Sequence, residues 1–177
     1  MRTAVVIGLT FALAAPGITG EGRMSFRDLP PSAWNKRVGD FQIALSVSMK
    51  AREYVAAWNE RSRTEPLEVH ETTVIPREVE FGVILHFTNC PVSDKGTCDV
   101  RVVFQILSST GELIIERDDL EFWPWPPPKK DSVQLARSTW ITSAEATDPP
   151  GEYRIRALVM DSHTGSRIVL ERVIRHT

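Results

Sequence analysis

Phe41-Gln42-Ile43-Ala44-Leu45-Ser46-Val47-Ser48-Met49-Lys50 decides the fold. Its large apolar side chains fall on every second residue, and the residues between them are polar or small. Successive side chains of a strand point to opposite faces, so this period turns one face to a core and the other to water. The same period returns downstream. Phe81, Val83, Leu85 and Phe87 alternate with Gly82, Ile84 and His86. Val100, Val102, Phe104 and Ile106 form another run, and Tyr153, Ile155, Ala157 and Val159 one more. Residues 69–75, 113–116, 133–141 and 168–174 predict shorter strands. Turn residues stand between them: Gly111, Asp148-Pro149-Pro150-Gly151 and Gly165. Only 51–61, with Tyr54, Ala57, Trp58 and Arg61 at helical spacing, predicts a short helix or turn. Short strands with turns between them predict an all-β, antiparallel sandwich of about seven to nine strands over residues 40–177.

The N-terminus carries a different pattern. Arg2 precedes an apolar run over 4–15, Pro16 and Gly17 break it, and small residues continue to Gly20. A positive start, an apolar stretch of about 7–15 residues and small residues beyond it make a secretory signal. Residues 1–20 are read as a signal peptide, cleaved after Ala14 or after Gly20; a short buried helix or an uncleaved anchor is the alternative. The run is shorter than the roughly 20 residues a membrane span needs, and no later segment is apolar enough for one. A periplasmic or secreted chain without a membrane span in its mature form is therefore expected. Residues 21–39 form a leader rich in Gly, Pro and charge. Trp34 is its one large anchor, and the leader is expected to lie loosely on the domain or to be disordered in part.

Cys90 and Cys98 are the only two cysteines, and they flank the turn between two predicted strands. In an exported chain such a pair is expected to form a disulfide, with two free thiols as the alternative. Closing so small a loop contributes roughly 2–3 kcal/mol. A redox pair spaces its cysteines by two residues, and a zinc site needs further ligands, which the loop lacks.

Asp148-Pro149-Pro150-Gly151-Glu152-Tyr153-Arg154-Ile155, followed by Val159-Met160-Asp161 and Thr164-Gly165, carries a family likeness. It resembles the last two strands of immunoglobulin-like domains in bacterial envelope proteins. In those, Gly-x-Tyr opens the penultimate strand, and Asp with Gly forms the final hairpin. The likeness extends more weakly to 89–90, 98–100 and 109–111. The layout as a whole is similar to small exported bacterial proteins with no assigned activity. The resemblance implies an immunoglobulin-like fold and an envelope compartment, and it transfers no catalytic residue. Antibody-type domains join their sheets through widely separated cysteines, a pattern from which Cys90 and Cys98 depart.

The formal net charge is −2 and the pI about 6.1. Acidic and basic residues are interleaved, so no basic stripe invites nucleic acid. Arg167, Arg172 and Arg175, balanced by Glu171, read as solvated strand faces. His70, His86, His163 and His176 have no metal spacing. His86 is expected on the solvent side of its strand, and His163 in a hairpin loop beside Asp161. His70-Glu71 is a local pair that would need ligands from elsewhere to hold a metal. Asp94, Asp99, Asp118, Asp119 and Glu121 lie near turns but match no calcium loop. There is no Gly-x-Ser-x-Gly, phosphate loop or dinucleotide fingerprint. No catalytic residue, cofactor or metal is expected.

Phe122-Trp123-Pro124-Trp125-Pro126-Pro127-Pro128-Lys129-Lys130 is the most unusual segment. Its prolines enforce an extended backbone, which would set Trp123 and Trp125 on one side and Phe122 on another. Two readings compete. The tryptophans form a platform for a sugar ring, a peptide or another subunit, or they fold back and seal an edge of the sandwich. The candidate binding residues are Trp123, Trp125, Phe122 and Trp34. The expected function is a non-catalytic module that docks on another envelope protein, as an accessory subunit of a larger complex. The alternative is a carbohydrate- or peptide-binding module that uses the Trp-Pro loop.

Overall fold

A computed structural model describes residues 26, 29, 31–60 and 69–177. The predicted signal peptide and Arg61 lie outside the described residues. Among these, the elements run β1 (Asn35–Val38), β2 (Phe41–Ser48), α1 (Ala51–Glu60), β3 (Val74–Ile75), β4 (Glu80–Thr88), β5 (Val100–Ser108), β6 (Leu113–Arg117), β7 (Gln134–Leu135), β8 (Trp140–Ser143), β9 (Gly151–Asp161) and β10 (Arg167–His176). They form two sheets. The first runs β1-β2-β4-β7, with β8 also paired to β4; the second runs β3-β10-β9-β5-β6.

The all-β class holds, with two amendments. The 133–141 stretch divides into β7 and β8, because Arg137 N–H leaves the ladder to donate to the Phe122 carbonyl (2.9 Å). One pair is parallel: β3 joins β10 through Val74↔Arg175 and Ile75↔His176. The other pairs are antiparallel.

The core lies between the sheets. Ile43, Leu45 and Val47 of β2 and Val83, Leu85 and Phe87 of β4 face Val102, Phe104, Ile155, Ala157, Val159 and Leu170 of the second sheet. These are the alternate positions of the sequence runs, and each large side chain so buried stabilises by about 1.5–3 kcal/mol. Cys90 and Cys98 are joined, with Cα atoms 5.7 Å apart. Since Cys90 follows β4 and Cys98 precedes β5, the disulfide ties one sheet to the other.

Both faces of the first sheet are covered, contrary to the half-solvated strand expected. All eight residues of β2 are buried. Helix α1 folds back over the outer face and packs Ala51 and Tyr54 on Ile84 and Leu135. Gly82 makes this approach possible, since a Cβ at that position would lie 2.2 Å from the Cβ of Ala51. His86 is consequently buried rather than solvent-facing, with Tyr54 Oη 2.7 Å from its Nε2.

The leader is not loose where it is described. Trp34 C=O accepts from Leu45 N–H (2.8 Å) on the first sheet, and Ala33 C=O accepts from Glu171 N–H (2.7 Å) on the second. The chain thus straddles the two sheets before entering β1, a strand that lies within the stretch read as leader. Arg172 is not a solvated face either. Its guanidinium lies 4.0 Å from the Trp34 ring centroid and donates to Glu71 Oε1 (2.6 Å) and to the Leu45 carbonyl (3.0 Å). Burial lowers its pKa, and Glu71 works against that shift.

Candidate functional site

The Trp-Pro loop leaves β6 and returns to β7 along the edge of the first sheet. Phe122 anchors it. The ring is 2% exposed and packs against Phe87 (4.7 Å between centroids) and Phe41 (6.5 Å). At the far end, Asp131 N–H donates to Asn89 Oδ1 (2.7 Å), and Ser132 N–H donates to the Lys129 carbonyl (3.1 Å). Four prolines between these ties stiffen the backbone. The loop is therefore ordered before any ligand arrives, which lowers the entropy lost on binding.

The two loop tryptophans differ. Trp123 is half-buried, edge-on to Phe87 at 5.3 Å, and its indole N–H is committed to the Pro126 carbonyl (2.9 Å). It serves as a wall. Trp125 is 50% exposed and stands against Trp123 at 4.8 Å with the ring planes 73° apart. The guanidinium of Arg137 lies 5.9 Å from the Trp125 centroid. One tryptophan packs inward and its neighbour meets solvent.

Between this loop and α1 runs an open groove of about 1530 Å³, floored by the β7–β8 stretch. Trp58 and Asn59 of α1 line one wall, and Trp123, Trp125 and Lys129 line the other. Arg52 and Arg137 also line it. Each holds a carboxylate that is not part of the lining. Arg52 Nε and Nη2 donate to Glu80 Oε1 and Oε2 (2.6 and 2.7 Å), and Arg137 Nη1 donates to Glu121 Oε2 (3.2 Å). The bond to Arg52 holds the Glu80 carboxyl below its ordinary range.

Of the residues the sequence singled out, the structure brings Trp123 and Trp125 to the groove and takes Phe122 into the core. Trp34 is remote from them, beside Arg172 in a smaller recess of about 260 Å³. The groove adds Trp58, Arg52 and Arg137. A signal for Trp58 did exist: it stands one helical turn beyond Tyr54, which faces the sheet. Nothing in the sequence joins 52–59 to 123–137.

Several of the remaining candidates have local partners. Glu71 pairs with Arg172 and accepts from Ser46 Oγ (2.8 Å). His176 is buried, with Nδ1 3.1 Å from the Ile75 carbonyl. Asp161 shapes the hairpin holding His163: desolvation raises its pKa, but bonds from Thr164 Oγ1 and the backbone of His163 and Thr164 outweigh it, and the net shift is downward. Among the described residues, no three His, Cys, Asp or Glu side chains gather as a metal site requires. No described helix is long and apolar enough to cross a membrane.

No protein-family model matches the chain, and no curated protein matches it. Several solved structures are distantly alike. An alkylpurine DNA glycosylase from Pseudomonas fluorescens, bound to DNA, shares 14% identity at a TM-score of 0.39, over 59% of this chain and 27% of that one. A Niemann-Pick type C2 protein from Japanese carpenter ant shares 14% at 0.43, over 81% and 93%. A family 123 glycoside hydrolase from Clostridium perfringens shares 12% at 0.42, over 76% and 27%. Likenesses this distant say nothing about what the chain does.

Proposed function

We propose that this protein is an exported, non-catalytic binding module on an immunoglobulin-like sandwich, and that the groove between α1 and the Trp-Pro loop binds an extended carbohydrate or peptide. One observation carries the reading: Trp125 stands half-exposed at the lip of that groove, on a loop pinned at both ends. A large aromatic face left in water beside a concave surface is the usual mark of a binding site.

Strand order supports the immunoglobulin-like part. β9 lies between β5 and β10, β4 lies between β2 and β8, and the short β3 runs parallel to β10. Tyr153 near the start of β9 donates its hydroxyl to the Pro149 carbonyl (2.6 Å), the arrangement of a tyrosine corner. The disulfide, together with the predicted signal sequence, supports a periplasmic or secreted location.

The test is a tryptophan-fluorescence titration with cell-wall oligosaccharides and peptides. Binding is expected, and Trp125→Ala should weaken it by about fivefold or more. Identical curves for the variant and the parent protein would overturn the reading.

A second reading, docking on another envelope protein, rests on β6. Leu113, Ile114 and Ile115 are 49%, 46% and 38% exposed on a sheet-edge strand whose one strand partner among the described residues is β5. Such an edge accepts an extended strand from another protein. Ile114→Lys should abolish chemical cross-linking to the partner in isolated envelopes, while unchanged cross-linking would dismiss this surface.

A further inference from the structure

We infer that the groove is built for an acidic oligosaccharide, a chain of sugar rings bearing carboxylates. This inference rests on the groove reading above and narrows it. The chain as a whole carries a net charge of −2. The groove lining departs from that balance: among the described residues it contains Arg52, Lys129 and Arg137 and no carboxylate. The ion pairs do not use up these cations. A guanidinium has five N–H donors; Arg52 spends two on Glu80, and Arg137 spends one on Glu121. Both pairs are largely exposed, so each cation keeps donors for a second anion at modest desolvation cost.

The kind of ligand follows from what surrounds the charge. Trp125 is half-exposed, with the Arg137 guanidinium over one face of its ring and Trp123 against it, and the apolar face of a pyranose can lie on the part of the ring left open. A sugar stacked there would have its carboxylate beside a cation. An extended peptide that pairs its backbone with the protein would add to a strand edge. The floor offers little for that, because β7 is two residues long and is separated from β8 by the turn that bonds to Phe122. An acidic glycan therefore fits better than an acidic peptide.

Calorimetry with three probes tests this: oligogalacturonate, the same chain with its carboxylates methyl-esterified, and poly-glutamate. Oligogalacturonate should bind tightest, and its affinity should fall as sodium chloride rises from about 0.05 M to about 0.5 M, where screening is strong. Lys129→Ala, a change at an exposed position, should weaken oligogalacturonate by about threefold and leave the esterified chain unaffected. Equal affinity for the acid and the ester would overturn the acidic preference while leaving the groove reading standing. Poly-glutamate binding as tightly as oligogalacturonate would overturn the choice of a glycan. Loss of all binding, with fluorescence also silent, would overturn both readings.

Discussion

Arg172 is the residue whose environment differs most from its sequence appearance. Among the charged residues near the C-terminus it looks like one more solvated arginine. Yet it stands in phase with Leu170 and Ile174, which face the core, and this phase is the clue to its inward position. Trp34 lies against its guanidinium, Glu71 takes one donor, and the Leu45 carbonyl takes another. It therefore joins the leader, the stretch before β3 and both sheets. Arg172→Met keeps the length but leaves Glu71 and the carbonyl without their donor. We expect a loss of about 1–3 kcal/mol, read as a lowered urea midpoint with an unchanged slope. An unchanged midpoint would mean that water replaces the guanidinium without penalty.

Gly82 and α1 play the corresponding part among the elements. Alternation located β2, β4, β5 and β9, because burial on one face leaves a period of two. Apart from Ile84, an apolar residue on the outward face of β4, it gave no warning that β2 and β4 are buried on both faces. The outward residues Ala44, Ser46, Ser48 and Gly82 are small, and small residues look the same whether water or a helix covers them. The helix's own spacing, with Tyr54, Ala57 and Trp58 on one side, also hinted at a face seeking a partner. Gly82→Ala places a methyl group where Ala51 Cβ and Ile141 Cδ1 already stand, 2.2 and 2.8 Å from its ideal position. Either α1 or β8 must move. A destabilisation of about 1–3 kcal/mol is expected by denaturation. Because α1 forms a wall of the groove, Trp58 should also report a changed fluorescence spectrum.

At the scale of the molecule, the disulfide and the sheet borders matter most. The Cys90–Cys98 bond was legible from spacing and compartment, and the structure adds that it spans the two sheets. Cys90→Ser with Cys98→Ser should lower stability by about 2–3 kcal/mol, and a reductant should shift the melting temperature of the parent protein but not that of the double variant. The groove was not legible. Its walls come from segments far apart in sequence, and alternation describes strands, not what folds across their ends. The borders carry a further consequence. β1 is charged through Lys36 and Arg37, β3 stops after two residues at Pro76, and the β7 border lies beside the Trp-Pro loop. Among the described residues, β6 has no such guard beyond Glu116 and Arg117. Two copies that met along β6 would use up both bare strands at once, so self-association by this route ends in a closed pair and gives no fibre.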